Sequence, residues 1–290
     1  WCRYICPLGL MNGIYSKLSI IEVRANTSVC NSQCKYPACY KGTDEDQGCP
    51  MNIGVYNMYT NEDCTMCGQC IKNCKHDAVN LNLRVPAAEL VRDSGLNSYR
   101  EGANFAIAFF VPVLIAIVLA INLRKLSLYD HFSTKINSEV IHYTLISISF
   151  YILCFGLIWL GAIAFRKSSS EGSSLERLVW YTCTFIPISF AGEVSNHVIT
   201  FINGFGQILP VVNLHFGSYA FNILNQQAST EMVKLLQIMI IITGTIASIF
   251  IGKKVIKKIT KTKGRNRFWS VYFVNFVFCG LFIFIFIMRD

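Results

Sequence analysis

The alternation of hydrophobic and polar positions changes character near residues 95–104. Beyond that point five apolar stretches, about 105–123, 142–165, 178–201, 234–252 and 269–288, are long enough to cross a bilayer as helices. They are bounded by polar loops or by charge, as at Arg124-Lys125, Arg166-Lys167, Lys253-Lys254 and Arg289-Asp290. Trp180 and Trp269 stand at the starts of two stretches, where an amphipathic ring suits the membrane interface. Pro112 and Pro187 fall inside stretches, which is tolerated where neighbouring helices satisfy the freed carbonyls. Five such stretches argue against a soluble bundle.

Composition sharpens the division. The chain has 290 residues, 53% of them apolar, a formal net charge of +9 and 13 cysteines. Ten cysteines, at positions 2, 6, 30, 34, 39, 49, 64, 67, 70 and 74, precede the boundary. The other three, Cys154, Cys183 and Cys279, lie in apolar stretches and read as small buried residues. A cysteine-rich head on a membrane body is expected. There is no G-x-G-x-x-G fingerprint and no P-loop, which argues against a nucleotide-linked soluble dehydrogenase. GTDEDQG and SSSEGSS read as plain polar loops.

The cysteines carry the chemistry. Cys64, Cys67, Cys70 and Cys74 form C-x2-C-x2-C-x3-C within CTMCGQCIKNC. In two-cluster bacterial ferredoxins this spacing sets three thiolates on one cubane and sends the fourth to a neighbouring cluster. Zinc, the competing metal, prefers separated C-x2-C pairs. Upstream, Cys30, Cys34 and Cys39, followed by Cys49-Pro50, read as a loosened copy with KGTDEDQG inserted before its last cysteine. Exchange of the fourth ligand then completes two 4Fe–4S sites. One takes Cys64, Cys67, Cys70 and Cys49; the other takes Cys30, Cys34, Cys39 and Cys74. Lys75 stands where the second repeat would ordinarily have Pro, a minor departure. The following HDAVNLNLR resembles the short strand that closes a ferredoxin repeat.

The expected fold is an α-helical integral membrane protein with an N-terminal two-cluster, ferredoxin-like α+β head. Its divisions are a membrane-surface segment 1–29, a two-cluster domain 30–95 and a membrane domain 105–288. Cys2 and Cys6, in WCRYICPLG, are left over from the ligand count. They read as a free pair or disulfide at a helix end, or as a metal or redox pair at the membrane surface. A cytoplasmic setting disfavours the disulfide.

Charge orients the body. With five crossings, the head shares a side with loops 166–177 and 253–268, which carry three and eight Lys/Arg. Segments 124–140 and 202–233, on the other side, carry three and none. The positive-inside rule places the head and the basic loop in the cytoplasm, below a bacterial-type inner membrane. A basic loop between two spans meets lipid headgroups rather than nucleic acid.

One span holds ionisable groups. In FIPISFAGEVSNHVITF, Glu193 and His197 are four apart and share a helix face. Such groups are costly within a bilayer and mark function by default. With His142, they are expected in the outer third. Three readings stand. They are a hydrated helix end, a quinol headgroup site whose carboxylate or imidazole takes protons as electrons leave, or a haem b held by His142 and His197. His131 and His215 are expected in exposed outer loops.

The motifs WCRYICPLG, C-x3-C-x4-C with GCP, CTMCGQCIKNC and IPISFAGEVSNH together resemble the membrane polyferredoxins of the NapH/NosR type. The resemblance is specific over residues 1 to about 90 and loose over 178–201. That group includes quinol-dehydrogenase subunits of periplasmic nitrate reduction and accessory proteins of nitrous oxide reduction, with distant relatives in copper-oxidase assembly. It implies a membrane-anchored electron carrier, a subunit of a quinol-linked oxidoreductase complex. Such a carrier passes electrons between the quinone pool and a partner cytochrome or iron–sulfur protein. The alternative is an accessory protein delivering electrons to a metal site under assembly. In that group the C-x3-C-P motif usually follows several spans, so upstream helices are expected before Trp1. Cytoplasmic clusters and an outer quinol site would be separated by about 30 Å of hydrocarbon. A relay is therefore expected: an intervening haem, a quinol site near the head, or a partner.

The charge asymmetry generates a test. A cysteine probe at Gln226 should be labelled from outside intact cells, and one at Thr262 should not. The reverse pattern overturns the orientation and the cytoplasmic placement of the head together.

Overall fold

The computed structural model describes residues 6–91, 101–126, 139–166, 174–216, 230–259 and 268–288. Cys2, His131, Gln226, Thr262 and residues 167–173 lie outside this set. The chain forms two compact units, Trp1–Ala103 and Asn104–Asp290.

In the first unit α1 (Pro7–Ser16) begins on proline, at a position where no N–H is needed. Strand β1 (Ile21–Ala25) pairs antiparallel with β2 (Val79–Leu83), Ile21 opposite Leu83 and Ala25 opposite Val79. The Asn26 N–H donates to the Ala78 carbonyl at 2.7 Å, carrying the pairing one step further. Helix α2 (Thr27–Gln33) follows at once, its start capped by the Asn26 side chain, which accepts from the Ser28 N–H. Short helices α3 (Ala38–Lys41), α4 (Gln69–Lys72) and α5 (Ala88–Val91) and a 3-10 turn (Val55–Asn57) complete the unit. Strand alternation sends Val23 and Val79 to one face, where they make a small core with Cys39 and Val55. It sends Glu22 and Arg24 to the other face. There Arg84 meets Glu22 (3.1 Å) and Glu89, while Arg24 meets Glu89 (3.0 Å) and Glu22 (3.2 Å). Arg84 also donates to the Ser16 and Ser19 carbonyls, at 3.0 and 2.8 Å, tying the end of α1 to the sheet. The division expected at residues 29 and 30 therefore falls inside one compact unit.

The inserted KGTDEDQG segment is more ordered than a plain polar loop. Gly42, at φ +85°, bridges to Gln47, and a Cβ at Gly48 would lie 2.1 Å from the Tyr40 carbonyl oxygen. This tight turn lets the Cys49 N–H donate to the Tyr40 carbonyl at 3.2 Å.

The second unit is helical: α6 (Glu101–Leu123), α7 (Glu139–Arg166), α8 (Ser174–Cys183), α9 (Ile186–Phe216), α10 (Thr230–Ile259) and α11 (Trp269–Met288). Four segments, Ala106–Leu123, Val140–Ala164, Glu231–Val255 and Trp269–Met288, are long and apolar enough to cross a membrane. The stretch expected as one span over 178–201 is broken instead. Its halves, Arg177–Cys183 and Ile186–Ile202, bend by 41° and make a fifth crossing only if counted together. Pro187 explains the break. It occupies the second position of α9, where its missing N–H costs nothing, rather than a helix interior. The end of α8 tightens, with Thr184 and Phe185 donating to the Tyr181 and Thr182 carbonyls at 3.1 and 3.0 Å. The Ile188 N–H, at the start of α9, donates across to Ser248 Oγ on α10 at 3.0 Å. Helix α9 also continues to Phe216, so residues 202–216, including His215, are helical rather than part of an outer loop.

Small residues bring these helices close. A Cβ at Gly244 would lie 2.3 Å from Ala191 Cβ, and one at Gly192 would lie 2.7 Å from the Phe282 ring. Phe185, in the break, meets Phe278 edge-on at a centroid distance of 5.7 Å. Gly244→Ala is expected to force α9 and α10 apart and cost about 1–3 kcal/mol by overpacking. Gly280→Ala, whose added methyl meets nothing within 4 Å, should leave stability unchanged or slightly higher. Reversible unfolding in detergent distinguishes the two.

Candidate functional site

The sheet register brings distant cysteines together. Cys30 lies on α2, just after β1, and Cys74 lies just ahead of β2, so pairing of the strands sets them side by side. Cys30, Cys34, Cys39 and Cys74 line one cavity of about 710 Å³. Cys49, Cys64, Cys67 and Cys70 line a second, narrower cavity. Each ring takes three thiols from one motif and one from the other.

Local backbone aims donors at these sulfurs. Met66 (φ 54°) and Gly68 (φ 80°) are left-handed, curling CTMCGQC so that the Met66 N–H points at Cys64 Sγ, 3.4 Å away. The Ala78 N–H reaches Cys74 Sγ at 3.3 Å. The remaining wall of the narrower cavity is mostly apolar or thioether, including Val23, Ile53, Val55 and Met58. Among the described residues no histidine or carboxylate lines it. A thiol-only donor set of this kind suits soft metals and iron–sulfur clusters. Among the described residues no group of three or more His, Cys, Asp or Glu is arranged to hold a metal ion.

The thiols also hold one another's protons in place. Burial first, then the neighbouring Cys34, Cys74, Cys30 and Cys70, push Cys39 up to about 11. Burial and the neighbouring Cys34 and Cys74 raise Cys30. In the other ring burial raises Cys64 and Cys70, with neighbouring thiols adding to it. Metal binding therefore has to displace protons, and bound cations would relieve the mutual repulsion.

The twelve cysteines among the described residues are all free thiols. Cys6 is half-buried at the start of α1, Cys154 and Cys183 are buried in the membrane unit, and Cys279 is half-buried there. Glu193 Oε1 and His197 Nε2 are 3.1 Å apart on α9, with the histidine side chain 64% exposed and the glutamate 25%. Their neighbours face inward. Asn196 accepts from Asn122 of α6 at 2.9 Å, and the Ser195 carbonyl accepts from Gln237 of α10 at 2.9 Å. His142, on the first turn of α7, is buried. Sequence reasoning passed over Arg24, Asn61, Arg84 and Glu89. The only local signal for them was the alternation of Glu22 and Arg24 between apolar strand positions.

Comparison with curated proteins finds partial relatives. YccM of Escherichia coli (strain K12), whose name assigns it to electron transport, is 33% identical over 91 residues, 30% of this chain and 23% of the relative. The ferredoxin-type protein NapH of the same organism is 28% identical over 91 residues, 29% of this chain and 30% of the relative. An uncharacterized protein of Methanocaldococcus jannaschii is 29% identical over 82 residues, 28% of this chain and 30% of the relative. The chain thus spans less than a third of the length of these relatives. They are consistent with the NapH type that the cysteine motifs resemble. No family model and no solved structure matches the chain.

The thiol chemistry has a pH signature. The Cys39 thiol moves from 9.0 to about 11 in the folded chain, so the native state binds this proton more tightly. Its contribution to stability is whole below pH 9 and lost as pH rises through about 11. The denaturant midpoint of metal-free protein should fall across that window. Cys39→Ala should flatten the decline, and an unchanged slope in that variant counts against the assignment.

Proposed function

We infer that this chain is a membrane-anchored iron–sulfur protein that passes electrons between the quinone pool and a partner redox protein. The observation that carries the reading is the sorting of the head cysteines into two thiol rings, each drawing on both motifs. The electron-transport and ferredoxin-type names of YccM and NapH point the same way. In this reading Cys30, Cys34, Cys39 and Cys74 hold one 4Fe–4S cluster in a ferredoxin-like head, and Cys49, Cys64, Cys67 and Cys70 hold the other. When bound, each cluster supplies one-electron redox chemistry. The Met66 and Ala78 N–H groups share the negative charge of the sulfurs, and Val23, Val55 and Met58 keep water from the narrower ring.

Glu193 and His197 serve the quinol end. They face outward from a membrane helix, so a headgroup dissolved in the bilayer reaches them directly. The carboxylate and imidazole, already hydrogen-bonded, accept protons as quinol gives up electrons. That pairing occupies the imidazole nitrogen an axial haem bond would use, and so favours proton handling over the haem reading. In this reading the head lies on the cytoplasmic side of an inner membrane, a placement supported by the positive-inside rule applied to the Lys/Arg-rich sequence from Lys253 to Arg267.

Purified protein is expected to carry about eight iron and eight acid-labile sulfide, with a broad absorbance bleached by dithionite. Cys67→Ser should disturb one cluster and Cys34→Ser the other. Zinc, or a single cluster, overturns the two-ring assignment. Glu193→Gln and His197→Leu should each lower electron flow from quinol by roughly two to four orders of magnitude, while both clusters stay reducible by dithionite. Wild-type turnover in both variants would reduce the pair to a hydrated helix end.

A further inference from the structure

The two thiol cavities differ in their walls. The narrower one, around Cys49, Cys64, Cys67 and Cys70, is lined by no charged side chain among the described residues. The wider one, around Cys30, Cys34, Cys39 and Cys74, is lined also by Lys35, Lys75 and His76, with Asp44 its single carboxylate. Each lysine directly follows a cysteine of that ring, so the fold that gathers the thiols gathers the two cations with them. Lys75 stands where a ferredoxin repeat ordinarily has proline, whereas the other repeat keeps it as Cys49-Pro50. Both lysines are exposed, and neither side chain makes an ion pair or hydrogen bond with a described residue.

A third cation stands at the same mouth. Lys41 lies over the ring of Tyr36, 5.6 Å from its centroid, and Tyr36 is an exposed part of the cavity wall. The other acids nearby offset little of this charge. Asp46 is paired with Lys72, and Glu45 and Asp77 do not line the cavity. The remaining exposed lining residues, Asn31, Gln33 and Thr43, are polar, and no exposed aliphatic side chain stands among them. A lipid surface is met by apolar side chains beside the cations, and its anionic headgroups would repel Asp44. Mixed polar and charged contacts around an exposed tyrosine suit another protein instead.

We propose that the mouth of the Cys30, Cys34, Cys39 and Cys74 cavity is the docking surface for an acidic redox protein, with Lys35 and Lys75 as its electrostatic contacts. This rests on the iron–sulfur reading above and adds the partner's chemistry: carboxylates arranged around its own redox centre. One electron crosses between that centre and the cluster held in this ring, and no bond is made or broken. The lysines steer the encounter and bring the two centres together. Rim cations of this kind act mostly on the association rate, and their effect fades with salt.

The test is stopped-flow reduction of the oxidised, purified protein in neutral detergent by two donors of opposite charge. The first is fully reduced flavodoxin, an acidic protein that gives up one electron and becomes its semiquinone. The second is the methyl viologen radical cation, which gives up one electron and becomes the dication. Bleaching of the cluster absorbance reports the rate. Lys35→Glu combined with Lys75→Glu should slow reduction by flavodoxin about tenfold or more at low salt. The difference should close at about 1 M salt, where charges are screened beyond about 3 Å. Methyl viologen should reduce the same variant no more slowly than wild type. A lowered potential or a damaged head slows both donors alike, so the opposite response isolates docking. Asp44→Asn should raise the flavodoxin rate about twofold, a gain that misfolding does not give and that keeps the proposal testable if the lysine variant loses iron. Equal flavodoxin rates in wild type and lysine variant at full iron content, or equal slowing with both donors, overturn the docking role and leave the two-cluster reading intact. So does a wild-type advantage that vanishes in phosphatidylglycerol nanodiscs but persists in phosphatidylcholine ones, which would give the lysines to lipid headgroups. A wild type that holds zinc or no cluster removes the iron–sulfur reading and this proposal together.

Discussion

Antiparallel pairing of Ile21–Ala25 with Val79–Leu83 governs where the thiols of the head fall, because each strand adjoins a cysteine-bearing segment. Cys30 follows one strand and Cys74 precedes the other. A one-residue slip would exchange the faces of a strand, turning Val23 out of the core and Glu22 and Arg24 into it. The ion network opposes that slip. A buried pair adds little net stability, since desolvation offsets the attraction, but a buried charge left without its partner costs about 3–5 kcal/mol. Arg24 and Arg84 with Glu22 and Glu89 find partners only in the observed register. Arg84 extends the same constraint to α1 through the Ser16 and Ser19 carbonyls.

The membrane unit answers to a different solvent. Hydrocarbon offers no hydrogen bonds, so a helix break at that depth survives only where protein satisfies the freed groups. Between α8 and α9 this is done by tight turn bonds, by a proline that has no N–H to satisfy, and by Ser248 reaching over from α10. Close approach of α10 at Gly244 to Ala191, Pro187 and Ile188 makes that reach possible. Beyond the break, α9 divides its polar residues between two faces. Ser195 and Asn196 bind the bundle together, while Glu193 and His197 face outward. The first pair is structural by its contacts; the second is hydrogen-bonded within its own helix and is largely exposed at His197.

Much of this protein is legible along the chain, for a physical reason. Apolar length is a property of composition, so Val140–Ala164 and Trp269–Met288 lie within two residues of the stretches that hydropathy marks at 142–165 and 269–288. Cysteine spacing is equally local, and it separates the two motifs without any knowledge of their packing. What tertiary structure alone decided depends on partners far apart in sequence. Arg24 and Glu89 are 65 positions apart, and neither is unusual in its own neighbourhood. β1 alternates over only five residues, too short a run to mark a strand without β2 beside it. KGTDEDQG looked like a slack insertion because the carbonyl that Gly48 must approach belongs to Tyr40, across the turn. The break at Thr184 and Phe185 was averaged away, since hydropathy records apolar content and is blind to the direction of a helix axis. Whether Glu193 and His197 faced the bundle or its surroundings was likewise open, because helical spacing puts two residues on one face but only packing says which way that face looks.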